Sequence, residues 1–393
     1  MFSSRLFSSR LPWDLRPNRL SELLEARRRS GAAILDLTES NPTRAGFDYP
    51  AKEIAQSLAD ESSLLYEPRP AGLPRAREAV AAEYTVRGKK VEPERILLTA
   101  STSEAYSHLF KLLADPGDEV LVPRPSYPLF EFLANLESVR TVQYPLAYHG
   151  QWEMDLDALA RSVTERTRAI VIVNPNNPTG SFLKRDELER LVEVCAQNNL
   201  AIISDEVFSG YGFEQDARRV ETLADLTSIA AFCLGGLSKA AGLPQMKLGW
   251  IALAGPPEWR EPARERLELI ADTYLSVGAP VQHALPRLLA LGARVREQIV
   301  ARTRSNLEFL RAAANGTALR VLDVEGGWYA ILEVPRTRSE EEWCAELLER
   351  DSVLVQPGFF YDFESEAFLV VSLLTQPEIF RDGIGRLAWR AGG

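Results

Sequence analysis

The sequence predicts an α/β fold: a large domain built on a mostly parallel sheet covered by helices, followed by a smaller α+β domain. Two observations carry the expectation. From Ile96 to about Ala252, short β-branched runs alternate with polar stretches of helical spacing, the pattern of a sheet buried on both faces. From Glu258 onward the texture changes to charged helical sequence and then to a β-rich tail. At 393 residues, 46% of them hydrophobic and 25% charged, the chain is long enough for one large core and a smaller one.

In chain order, the strands are expected at Ile96–Thr99, Val120–Val122, Ala169–Val173, Ala201–Ser204, Ala230–Leu234 and Leu248–Ala252. Each is a short apolar run bounded by turn-formers. Between them, Glu104–Leu113 and Arg185–Asn198 carry apolar residues at helical spacing. The second run ends in Asn198-Asn199, a residue pair suited to a left-handed cap. Charged helical sequence at 258–272 and 286–314 precedes strand-like runs at Trp328–Val334, Val353–Val355 and Phe368–Leu373. The domain boundaries fall accordingly at 45–275 for the large domain, and at 1–44 together with 276–393 for the small one.

A net charge of -10 argues against phosphate backbones and anionic membrane surfaces as partners. Small molecules are the expected ligands. No apolar run reaches the eighteen residues a membrane span needs. Three widely spaced cysteines, Cys195, Cys233 and Cys344, form neither a disulfide framework nor a metal motif, so a reducing cytoplasm and no metal are expected. At the N-terminus Phe2-Ser-Ser-Arg-Leu6 is repeated as Phe7-Ser-Ser-Arg-Leu11. That Arg- and Ser-rich start has the composition of a transit peptide, but it is short and reads better as an arm packed on a partner subunit.

The chemistry-bearing motifs follow strand ends, where open α/β sheets bind their ligands. Thr99-Ala-Ser-Thr102-Ser103-Glu104 runs from a strand into a helix, so its first amides and hydroxyls can cradle a phosphate at the positive helix end. By itself Thr102 could be only an N-cap. Asn174-Pro-Asn-Asn177-Pro-Thr-Gly180 offers amide donors, or merely a tight loop. Asp205-Glu206 places a carboxylate at the mouth of an apolar strand, where it needs a cation. Lys239, in Gly235-Gly-Leu-Ser238-Lys239-Ala-Ala-Gly242, has small and apolar neighbours that lower an amine's pKa and make it nucleophilic toward an aldehyde. Singly these signals are weak; four strand ends in series are specific.

On Tyr66…Gly72-Leu-Pro-Arg-Ala-Arg77, Pro125-Ser-Tyr127-Pro128, Asn174–Gly180, Ser204-Asp205-Glu206 and Ser238-Lys239…Gly242-Leu-Pro244, the chain resembles the class I/II aminotransferases. These are pyridoxal 5′-phosphate (PLP) enzymes of PLP-transferase fold type I, and the resemblance covers nearly the whole length. It implies that Lys239 carries the cofactor as a Schiff base and later shuttles a proton, and that Asp205 pairs with the ring nitrogen. Asn177 would bond the phenolic oxygen and Tyr127 would stack on the ring. Thr102, Ser103, Ser238 and Lys247 would hold the phosphate. Tyr66 would reach the neighbouring subunit's cofactor, which makes a homodimer with shared sites the expected assembly, and amino acids and 2-oxo acids the expected substrates.

Three positions depart from the family pattern. Phe208 stands where a tyrosine usually contacts the phenolic oxygen. Lys247 replaces the phosphate-binding arginine, and Gly236 a serine three residues before Lys239, so weaker cofactor retention is expected. In Phe368-Leu-Val370-Val-Ser372, Val370 takes the place of the arginine that clamps the substrate α-carboxylate. Either Arg69 or Arg124 replaces it, with Arg381 and Arg386 further along the chain, or the substrate presents no free α-carboxylate there. Trp328 and Tyr329 read either as core or as substrate lining. The leading function is an aminotransferase with two half reactions at one site. A lyase, decarboxylase or racemase of the same fold is the alternative enzyme. A PLP-binding regulatory module without turnover is the third reading, disfavoured by the acidic charge and by the lack of a helix-turn-helix signal.

Overall fold

The computed structural model describes residues 7–11, 13, 16–275 and 277–392. Its strands in chain order are β1 (Leu35–Asp36), β2 (Ile96–Thr99), β3 (Glu119–Arg124), β4 (Arg140–Tyr148), β5 (Trp152–Met154), β6 (Thr167–Val173) and β7 (Ala201–Asp205), then β8 (Ala231–Gly236), β9 (Gly249–Ala254), β10 (Arg320–Val321), β11 (Tyr329–Glu333), β12 (Val353–Leu354), β13 (Gln356–Pro357) and β14 (Phe368–Ser372). Nine of them concern one large sheet or the strand that anchors the N-terminal segment. Eight build that sheet, in the order β2-β9-β8-β7-β6-β3-β4-β5.

The sheet is mostly parallel. β4, β3, β6, β7 and β8 run in one direction, whereas β9 is antiparallel to both its neighbours and β5 is antiparallel to β4. Successive side chains point to opposite faces, and both faces are buried. On β6 and β7, Ile170, Ile172 and Ile202 enter one core, while Ala169, Val171, Ala201 and Ile203 enter the other. The helix Arg185–Asn198 ends with Asn199 in the left-handed conformation, φ 54°, its N–H donating to the Cys195 carbonyl.

A second sheet, β10-β11-β14-β13, is antiparallel, and β1 pairs in parallel with β12. Its core joins Leu20 and Leu37 of the N-terminal segment to Trp343, Leu369 and Phe380. The 36-residue helix Ala279–Ala314 serves both cores. Leu285 and Leu288 pack into the first, and Leu307 and Leu310 into the second. Midway, its Gly292 lies against the turn after β8, where a Cβ would stand 2.2 Å from the Ala241 methyl. One turn on, Arg296 donates to the Ala240 carbonyl at 2.9 Å.

The first Phe-Ser-Ser-Arg-Leu copy lies outside the described residues. Of the second, Arg10 donates to the Leu136 carbonyl at 3.1 Å, and just beyond it Trp13 packs edge-on against Phe132. Among the described residues no helix is long and apolar enough to cross a membrane, and no group of His, Cys, Asp or Glu could hold a metal ion.

Candidate active site

The C-terminal ends of the parallel strands open into a cavity of about 340 Å³. Its floor comes from β7 and from the turn after β8, because a buried strand can place one polar residue at its mouth only where the ladder ends. Asp205 is that residue on β7. β8 gives way directly to the short helix Leu237–Ala240, which carries Ser238 and Lys239.

Lys239 lies under aromatic cover. Its ammonium is 4.3 Å from the centre of the Trp328 ring and 5.4 Å from that of Phe208. Burial drives its pKa down to about 8, against the pull of Asp205 in the opposite sense. The Asp205 carboxyl is pushed up to about 6, chiefly by burial, despite hydrogen bonds from the Val207 N–H at 3.2 Å and the Tyr106 hydroxyl at 3.0 Å. A carboxylate and an amine, both poised near neutrality, therefore face the same cavity.

The opposite end is built for an anion. The helix Thr102–Leu113 begins there with Ser101 as its N-cap, the Ser101 hydroxyl accepting from the Glu104 N–H at 3.1 Å and the Glu104 carboxylate from the Ala100 N–H at 2.6 Å. With the cap supplied by Ser101, Thr102 is the first helical residue, and Thr102 and Ser103 line the cavity. Their amides sit at the positive helix end. Lys247, in the left-handed conformation at φ 51°, adds a cation, and Ser238 a hydroxyl.

Asn174 and Asn176 brace their loop, Asn174 bonding the Val220 carbonyl and the Leu183 N–H, and Asn176 accepting from the Thr179 hydroxyl. Asn177 does not. It is buried against the cavity with its Oδ1 unpartnered, and such a group calls for a polar ligand atom. Tyr127 lines the cavity and is half-exposed. Taken together, an anion cradle, an amine, an unsatisfied amide and a buried carboxylate fit PLP.

Eight of the nine expected site residues thus share one cavity: Thr102, Ser103, Tyr127 and Asn177 on one side, Asp205, Ser238, Lys239 and Lys247 on the other. Tyr66 does not line it, and is 79% exposed. Tyr106 and Ser101 escaped sequence reasoning, although Tyr106 follows Thr102 by one helical turn and so shares its face. Trp328 is core, fully buried with its ring beside the Lys239 ammonium, whereas Tyr329 lines the cavity. Gly326 allows this placement, since a Cβ there would come within 2.7 Å of the Tyr211 carbonyl oxygen.

The departures also find their places. Phe208 packs edge-on against Trp328. The nearby Tyr211 is no substitute for the missing hydroxyl, because it donates to the Lys239 carbonyl at 2.5 Å. Val370 is fully buried opposite Ile331, among Trp152, Leu322 and Tyr361. Neither suggested arginine lines the cavity; Arg69 pairs with Glu67 and Arg124 with Glu364. On the C-terminal helix, Arg381 lies over Phe309 and Arg386 pairs with Asp382.

The sequence profile described as aminotransferase class I and II matches residues 32–380. The glutamate-pyruvate aminotransferase AlaA of Escherichia coli strain K12 is 33% identical over 270 residues, 68% of this chain and 66%, just under two thirds, of that relative. The AlaA of Haemophilus influenzae is 28% identical over 357 residues, 87% of each chain. In three dimensions, an aminotransferase from Escherichia coli superposes with a TM-score of 0.86 at 26% identity, covering 98% of both chains.

Proposed function

The chain belongs to the class I and II aminotransferase family, whose members depend on PLP, and we propose that it is a transaminase moving an amino group between an amino acid and a 2-oxo acid at the cavity around Lys239. One observation carries the reading: a nucleophilic lysine and a buried carboxylate on adjacent strand ends face the same cavity as a helix N-terminus.

When bound, the cofactor supplies an aldehyde and an electron-withdrawing ring. Lys239 Nζ is the attachment point, and its lowered pKa leaves it able to take up and return the proton removed from the substrate Cα. Asp205 would hold a positive charge at the ring nitrogen. Asn177 would bond the phenolic oxygen, and Tyr127 would cover one ring face. The amides of Thr102 and Ser103, the Ser238 hydroxyl and the Lys247 ammonium would hold the phosphate. Trp328 and Phe208 exclude water from the amine.

The active unit in this reading is a homodimer in the cytoplasm, with Tyr66 directed to the partner's site and exposed Leu64, Leu65, Leu269 and Leu275 as interface material. The large domain spans 45–275, and the small domain 1–44 with 276–393. The names of the relatives make alanine, glutamate and tyrosine the first donors to test. In that test the PLP-loaded protein is mixed with each amino acid and its near-visible absorbance followed. Conversion of the lysine-bound band to that of the amine form, reversed by a 2-oxo acid, is the expected result. A protein that takes up no cofactor overturns the proposal.

A further inference from the structure

Asp205 is held by only two donors among the described residues, and one of them is a tyrosine placed where nothing in the motif series required a polar group. Tyr106 lies in the helix Thr102–Leu113, one turn beyond the anion cradle, and its hydroxyl donates to Asp205 Oδ2 at 3.0 Å. The second donor, the Val207 N–H, reaches Asp205 Oδ1 at 3.2 Å, so each carboxylate oxygen has a partner of its own. The phenol cannot swing away. Its ring is buried edge-on against Phe130 and tilted against Phe110, with centroids 5.4 and 5.9 Å apart.

Resting on the PLP reading of the cavity, we propose that Tyr106 is a positioning residue that fixes the Asp205 carboxylate and keeps it anionic, so that the proton between this carboxylate and the cofactor ring resides on the ring. A hydrogen bond donated to a carboxylate favours its charged form, and a charge-assisted bond is the stronger kind. Without the phenol the carboxylate becomes the better base and draws that proton to itself.

Among the described residues, four titratable groups act on Asp205: Tyr106 from its helix, Tyr127 from the loop after β3, Lys239 from the turn after β8, and Glu206, next in the chain, whose carboxylate is turned to the Ser204 hydroxyl and the Leu223 N–H. Lys239 favours the anion; Glu206 opposes it. Tyr106 itself stays a donor throughout, because burial beside Asp205 holds its hydroxyl well above the usual tyrosine range.

The test is Tyr106→Phe, which removes one oxygen and keeps the ring. Holoenzyme is loaded with cofactor labelled with nitrogen-15 in the ring, and the ring-nitrogen NMR signal is read from pH 6 to 8.5 alongside kcat and KM. The expected result is a wild-type signal in the protonated range, a variant signal displaced toward the neutral range, and a kcat lower by about 10- to 100-fold with KM nearly unchanged. In an Asp205→Asn background the same replacement should have little effect, because Tyr106 acts through that carboxylate. Should Tyr106→Phe fail to fold, a fluorinated tyrosine at 106, a stronger donor of nearly the same shape, should hold the signal in the protonated range to a higher pH than in wild type. A signal in either substituted protein identical to wild type overturns the assignment. Failure of the wild type to bind the cofactor overturns the underlying reading instead.

Discussion

Lys239→Met in the cofactor-free protein measures what the cavity costs the fold. In the folded chain Lys239 titrates at about 8, against 10.5 for an ordinary lysine. A gap of 2.5 units, at 1.36 kcal/mol per unit, corresponds to about 3 kcal/mol. The sign follows from proton counts. Below pH 8 both states carry the ammonium and the folded state bears its full desolvation. Between pH 8 and 10.5 the folded chain binds fewer protons than the unfolded one, so stability rises with pH and the penalty disappears. Methionine keeps the length of the side chain without the charge. Part of the gain is offset by the lost contact of the ammonium with Trp328, worth about 1 kcal/mol; the attraction of Asp205 is already contained in the net shift. Lys239→Met should therefore be more stable than wild type by about 1–2 kcal/mol at pH 7, with the difference shrinking toward zero by pH 10.5. Urea unfolding followed by tryptophan fluorescence, at matched protein concentration and both pH values, reads this directly. An equal difference at pH 7 and 10.5, or none at pH 7, would refute the reasoning.

Other perturbations bear on the cofactor and the substrate. Asp205→Asn should retain PLP, measured by dialysis, but lose about two to four orders of magnitude in kcat because charge stabilisation at the ring is removed; near-normal turnover would remove its assigned role. Lys247→Arg should tighten cofactor binding several-fold in a fluorescence titration, since a guanidinium grips phosphate with two parallel bonds. Val370→Arg should lower the melting temperature, because it overpacks a site walled by Trp152, Leu322 and Ile331 and buries an unpaired guanidinium there, at a cost of about 3–5 kcal/mol. If Val370 occupies the place of the carboxylate clamp, the same change raises kcat/KM for alanine; an unchanged value means that the carboxylate is held elsewhere.

The central strands were legible because they are buried on both faces and so read as unbroken apolar runs. β4 and β5 were not. β4 mixes exposed, partly buried and buried residues without order and carries Arg140, Gln143 and Pro145, so it has neither a clean period nor an apolar run. The reversed direction of β9 was hidden for another reason: strand periodicity is the same in both directions, and the segment between β8 and β9, with its own short helix, is long enough for either direction. In the site, motif order brought eight residues to one cavity. Tyr106 was missed because an aromatic at helical spacing reads as core, which it also is, and nothing local reveals that its oxygen meets a strand end 99 positions away.

The contact between Gly292 and Ala241 makes the 36-residue helix a lever arm for the lysine. Its middle presses on the turn that aims Lys239, with Arg296 tied to the Ala240 carbonyl, while its far end is embedded between Leu369 and its neighbours in the second core. Loosening that distant anchorage releases the backstop behind the amine. Heat should therefore silence the chemistry as soon as the C-terminal sheet lets go, even while the central parallel strands are still intact.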